Sequence, residues 1–184
     1  MPTEVLFIHS AGPQSGEQGS APLLKHLRHD LGPGFRIHAP HMPGTDEPSS
    51  ARWQGKLGEL LSADVPPRIL VGHSLGASEL LKYLSGHALR HPPGGLFLVA
   101  TPFWKREEFA LQPGFAHALP QALQVWLYQG RDDEQLDASH LSRYAEVLPR
   151  ATARLLDRGG HTFPQGLQEL ARDLAAFAGA GAGA

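Results

Sequence analysis

Six short apolar runs limit what this 184-residue chain can fold into more than any other feature. They are "VLFI" (5–8), "FRIHA" (35–39), "RILVG" (68–72), "GLFLVA" (95–100), "LQVWLYQ" (123–129) and "ARLLD" (153–157). Their length and their Val, Ile, Leu and Phe content predict strands. Several lack polar alternation, which predicts strands covered on both faces. Between them apolar residues recur at helical spacing: Ala21, Leu24, Leu27 and Leu31, then Leu57, Leu60 and Leu61, then Leu80, Leu81 and Leu84. A last amphipathic stretch carries Leu167, Leu170, Ala171, Leu174 and Phe177 on one face. Strands alternating with helices imply an α/β fold: a three-layer sandwich with a mostly parallel sheet of about six strands and right-handed crossovers.

A chain of this length supports one core and leaves no room for a large lid. We expect a single domain over residues 1–178 and a flexible Gly/Ala tail, "GAGAGA", over 179–184. Three irregular stretches, 12–20, 40–50 and 101–120, each follow a predicted strand. In open α/β sheets the loops at the carboxyl ends of strands form the binding crevice, although each stretch also reads as plain surface loop.

Charge and composition remove several function classes. The formal net charge is −2 and no basic block is present, so nucleic acid is not an expected partner. The absence of cysteine removes disulfides, thiolate catalysis and cysteine-ligated metal. Apolar runs reach only about five residues, where a membrane-spanning helix needs roughly 18 or more, so no membrane association is expected. The opening "MPTEVLFIHSAG" lacks the basic and apolar regions of a signal peptide, and a cytoplasmic location is the expectation. Oligomeric state is not legible in the sequence.

The chemistry gathers around "GHSLG", Gly72 to Gly76. G-x-S-x-G alone is a weak pattern in a glycine-rich chain. Here it follows the strand "RILV" and precedes the helical "ASELLKYL", the strand-turn-helix setting that exposes a nucleophilic serine at a sharp turn. Gly72 and Gly76 let strand and helix pass closely on either side of Ser74. A serine hydroxyl is a weak nucleophile without a base. Of eleven histidines, His161 stands between the last strand and the final helix, where a loop reaches the crevice; His73 is expected to pack beside the elbow.

The base needs a carboxylate to fix its tautomer, and "LYQGRDD" ends the fifth strand with two, Asp132 and Asp133. The backbone N–H of Leu75 and that of Ala11, with Gly12 behind it, are the candidate oxyanion donors. The glycines of 12–19 lack the Lys-Ser/Thr ending of a phosphate loop, and no HExxH spacing supports a catalytic metal.

With these residues the chain resembles the α/β-hydrolase superfamily, and within it the small lidless serine hydrolases of the retinoblastoma-binding protein 9 and YdeN-like group. The resemblance rests on "FIHSAG", "PHMPG" followed by Trp53, "LVGHSLGAS", "LFLVATPFW", "YQGRDDEQL" and "DRGGHTF". It implies a compact fold without a large lid, a Ser74, Asp133, His161 triad and hydrolysis of carboxylic esters, or of amides or thioesters, without a cofactor. The G-x-x-D pattern of such proteins favours Asp133 over Asp132, and the usual His-Gly after the first strand is His9-Ser10 here.

The expected partner is a small or medium ester held by Gly12, His41, Met42, Phe103 and Trp104, with Phe109 as a further apolar candidate. The alternative for the aromatic residues is simple packing of the 101–120 segment. The alternative for the whole molecule is a scaffold of this fold acting as an interaction or ligand-binding module.

Overall fold

The computed structural model describes residues 1–62 and 68–181. Among these residues six strands alternate with six α-helices: β1 (Thr3–Ile8), α1 (Ala21–Leu31), β2 (Phe35–His38), α2 (Ser50–Leu61), β3 (Ile69–His73), α3 (Leu75–Gly86), β4 (Gly95–Val99), α4 (Phe115–Ala118), β5 (Gln124–Gly130), α5 (Ser139–Val147), β6 (Thr152–Leu156) and α6 (Gln168–Gly181). The strands form one sheet in the order β2-β1-β3-β4-β5-β6. Every neighbouring pair is parallel, so the sheet is wholly rather than mostly parallel.

Successive residues of a strand face opposite sides, and β1 shows how this divides the core. Val5 and Phe7 pack with Leu23 and Leu27 of α1 and Leu170 and Leu174 of α6. Leu6 and Ile8 pack with Trp53 and Leu57 of α2, Leu80 and Leu84 of α3, and Tyr144 of α5. Central strands β3 and β4 are buried throughout, whereas the edge strands β2 and β6 are partly exposed. The unbroken apolar runs of the sequence therefore belong to the strands with a helical layer on both sides.

The order of strands reverses between β1 and β3, and in open α/β sheets ligands bind outside the carboxyl ends of the strands at such a point. The backbone is strained along that same edge. The only non-glycine residues with positive φ among those described are Ser74 (53°), Ala100 (47°) and Phe163 (49°), which follow β3, β4 and β6. Strain of this kind persists where surrounding structure imposes it, and it collects at functional sites.

Three elements differ from the sequence expectation. Helix α5 lies where the sequence reading expects no helix, and it buries Leu141 and Tyr144. It forms because Tyr144 enters the core and donates its hydroxyl to the Pro102 carbonyl at 2.8 Å. The 101–120 stretch contains the single turn α4, whose Phe115 is buried. Helix α6 continues through Gly179, Ala180 and Gly181, past the expected boundary at 178, while 182–184 lie outside the described residues. Phe177 docks edge-on against Phe97 and Trp126, and an anchored helix propagates cooperatively into the next turn.

Candidate active site

Ser74 sits between β3 and α3 with φ 53° and ψ −120°, a conformation few L-residues adopt. Its N–H donates to the Val99 carbonyl at 2.8 Å, so the sheet ladder holds the turn. The flanking glycines are needed for space. A Cβ on Gly72 would lie 2.5 Å from the Ala77 Cα, and one on Gly76 would collide with the carbonyl oxygens of Ile8 and His9. The second clash shows how closely the first turn of α3 approaches the end of β1.

His161 lies on the β6–α6 loop, with Nε2 2.9 Å from the Ser74 hydroxyl oxygen. Its Nδ1 lies 3.0 and 3.1 Å from the two carboxylate oxygens of Asp133. Both side chains are withdrawn from water, at 5% exposure for His161 and 0% for Asp133. Burial pushes the Asp133 carboxyl up, but the His161 bond and the N–H groups of Leu136 and Gln135 outweigh it and hold the group below the usual carboxylate range. Asp132 faces elsewhere and accepts the Gly160 N–H at 2.8 Å. Glu134 accepts the His161 N–H at 3.2 Å, so three successive acidic residues support the histidine loop in different ways.

The amides of Ala11 and Leu75 have no hydrogen-bond partner among the described residues. Leu75 opens α3, where free N–H groups and the helix dipole favour negative charge. The peptide before Ala11 is fixed from its other side. The Ser10 carbonyl accepts from His9 Nδ1 at 2.6 Å and from Gln14 Nε2 at 3.0 Å. A trans peptide is planar, so pinning that carbonyl directs the Ala11 N–H the opposite way. His9 also accepts the Met42 N–H on Nε2 at 2.9 Å, which assigns it one neutral tautomer. Burial, the largest influence, lowers its pKa in agreement.

The expected rim residues divide. Met42 and Phe109 are buried in the core, so they support the site from beneath rather than line its surface. His41 is exposed and stands edge-on to His9, while Gly12 donates to the Thr45 carbonyl at 2.8 Å. Phe103 and Trp104 are partly exposed. Trp104 Nε1 donates at 2.8 Å to the hydroxyl of Ser78, one turn along α3 from Ser74. Phe103 leans on Tyr144, and its N–H donates to His140 Nδ1 at 2.8 Å. Farther along, Glu108 accepts from the Ser50 N–H at 3.0 Å and from Lys82 through its own carbonyl. The 101–120 segment is thus tied to α2, α3 and α5 and forms a fixed wall.

Among the described residues no helix is long and apolar enough to cross a membrane, and no cluster of three or more His, Asp or Glu is placed to hold a metal ion.

Known structures share this architecture. The ydeN gene product of B. subtilis aligns over 95% of this chain and 98% of its own, with a TM-score of 0.73 and 21% identity. A YdeN-like hydrolase from Pectobacterium atrosepticum gives a TM-score of 0.71 at 20% identity over 95% of this chain and 89% of its own. A serine hydrolase involved in carbazole degradation gives 0.75 at 13% identity over 96% and 91%. These likenesses establish the α/β-hydrolase fold. No curated protein matches the chain closely enough to count as a relative. The serine hydrolase family model, however, matches residues 18–173, a span that contains the elbow serine, the buried aspartate and the histidine joining them. The chain therefore belongs to the serine hydrolase family.

Proposed function

We propose that the protein hydrolyses small or medium carboxylic esters through an acyl-enzyme on Ser74. The observation that carries this reading is the continuous alignment of the Ser74 hydroxyl, the His161 ring and the buried Asp133 carboxylate. In the first half-reaction His161 Nε2 takes the Ser74 proton as Oγ bonds to the ester carbonyl carbon. The carbonyl oxygen becomes an oxyanion facing the Leu75 and Ala11 amides. Asp133 stabilises the imidazolium without taking its proton. Collapse of the adduct breaks the carbon–alkoxy bond, and His161 returns the proton to the departing alcohol. Water then attacks the acyl group through the same histidine, releasing the carboxylic acid and restoring Ser74.

The size preference rests on the fixed Phe103–Trp104 wall and the absence of a lid-sized insertion among the described residues. Such a wall shelters a short acyl chain on one side and does not enclose a long one. The test combines fluorophosphonate labelling with turnover of esters of increasing acyl length, comparing the wild type with Ser74→Ala. Ser74-dependent labelling and a maximum at short or medium chains are expected. Neither labelling nor ester turnover would leave the interaction-module reading in its place. Preference for an amide or thioester panel would move the substrate class while keeping the mechanism.

A further inference from the structure

Ser20 precedes α1 at the position where a serine ordinarily caps a helix, yet its side chain makes no capping bond. It is buried, as is His73, the residue before Ser74. The Ser20 hydroxyl oxygen lies 2.7 Å from His73 Nδ1 and 2.8 Å from the Ser10 nitrogen. On the far side of the ring, His73 Nε2 lies 2.9 Å from the His161 carbonyl oxygen.

Hydrogen-bond polarity orders these contacts. A carbonyl only accepts, so His73 must carry its proton on Nε2, leaving Nδ1 as an acceptor. The Ser20 hydroxyl therefore donates to Nδ1, and its oxygen accepts the Ser10 N–H. The 3.2 Å contact between the two serine hydroxyls then uses the Ser10 proton. The result is one directed chain: Ser10 N–H to Ser20 O–H to His73 to the His161 carbonyl.

We propose that Ser20 and His73 form a buried strut that holds the base loop at a fixed distance from the oxyanion loop, making both positioning residues of the hydrolytic reaction. The inference rests on the triad reading above. One end of the strut is the residue whose carbonyl orients the Ala11 amide. The other is the backbone of the residue whose ring meets Ser74. Gln14 braces the first end, accepting the Ser20 N–H at 2.9 Å while donating to the carbonyls of Ser10 and Gly12, both at 3.0 Å. Burial pulls the His73 pKa down to about 4, which keeps the ring neutral and the chain polarity intact at neutral pH. Neutrality also spares the His161 imidazolium a second positive charge, since the two rings are 5.5 Å apart. A packing histidine needs only apolar contact, whereas here both ring nitrogens are committed in opposite senses.

The test compares Ser20→Ala, His73→Leu and His73→Gln with the wild type on a short-chain ester. It also follows the downfield proton resonance of the His161–Asp133 hydrogen bond. Misplacing a base by a fraction of an ångström to an ångström lowers kcat about tenfold to hundredfold. We expect that loss in Ser20→Ala and His73→Leu, with KM within about twofold because the rim is untouched. Slowed fluorophosphonate labelling and a shifted or broadened resonance accompany it. His73→Gln, which keeps a donor toward the His161 carbonyl, regains part of kcat. A folded Ser20→Ala with wild-type kcat overturns the proposal, and so does a lost kcat with an unchanged resonance. If His73→Leu does not fold, Ser20→Ala decides alone. An inactive, unlabelled wild type would instead count against the triad reading, and the resonance would still report whether the strut positions His161.

Discussion

Replacing Asp133 by asparagine changes one charge and almost no volume, and the structure specifies its consequence. Asp133 Oδ1 accepts the N–H groups of Gln135 at 2.8 Å and Leu136 at 2.9 Å. In Asp133→Asn the amide oxygen must stay on those donors, because turning the NH2 toward them would set donor against donor. The NH2 then faces His161 Nδ1 and can only donate to it. That forces the imidazole proton onto Nε2, the nitrogen that must receive the Ser74 proton. A wrong-tautomer histidine lowers kcat by about 10⁴, or about 5 kcal/mol of transition-state stabilisation. Asp132→Asn keeps an oxygen for the Gly160 N–H in an exposed position, so its kcat should stay within about threefold of wild type. A continuous chromogenic assay with a short-chain ester resolves both. An active Asp133→Asn beside a crippled Asp132→Asn would refute the assignment of the acid.

Further expectations follow from the same geometry. Ser74→Gly should be more stable than Ser74→Ala by about 1–3 kcal/mol in thermal unfolding, because glycine relieves the positive φ that alanine retains; equal melting temperatures would mean that the turn is unstrained. Gly76→Ala should destabilise the fold by about 3 kcal/mol or more in a denaturant titration, since its Cβ would strike the Ile8 and His9 carbonyls; a wild-type midpoint would contradict the tight approach of α3 to β1. Asp173 receives Arg154 at 2.7 and 2.8 Å and the Tyr128 hydroxyl at 2.7 Å, and these bonds outweigh burial to hold its carboxyl below the ordinary range. Arg154 is 40% exposed and screened, so Asp173→Asn should cost about 1–2 kcal/mol at neutral pH. A lowered carboxylate stabilises fully above its unfolded-state value and loses that contribution as pH falls through its folded one. The difference from wild type should therefore shrink below about pH 4, and a difference that grows on acidification would reverse the sign assigned to Asp173.

Much of this molecule was legible before any contact was known. The central strands were visible because two-sided burial imposes continuous apolar runs, and the partly exposed edge strands β2 and β6 because they are short and apolar-rich between polar loops. Ser74 was legible because its turn demands glycine at 72 and 76, and those demands are local. The anchoring of helix α5 was not, since Tyr144 binds a carbonyl 42 positions earlier. The G-x-x-D spacing from Gly130 already favoured Asp133 as the partner of His161, whereas nothing local in "RDDE" tells that Asp132 takes the Gly160 N–H and Glu134 the His161 N–H. His73 reads as a residue packed beside the elbow, and its bonds to His161 and Ser20 span 88 and 53 positions. The sequence by itself determined the alternation of layers and the strained serine, because backbone sterics and hydrophobic periodicity act between near neighbours. Ser74, Asp133 and His161 were named from their order and the resemblance, but their distances, and the strut beneath them, were decided only by the tertiary structure, because hydrogen-bond partners are chosen by where the sheet edge brings distant loops together.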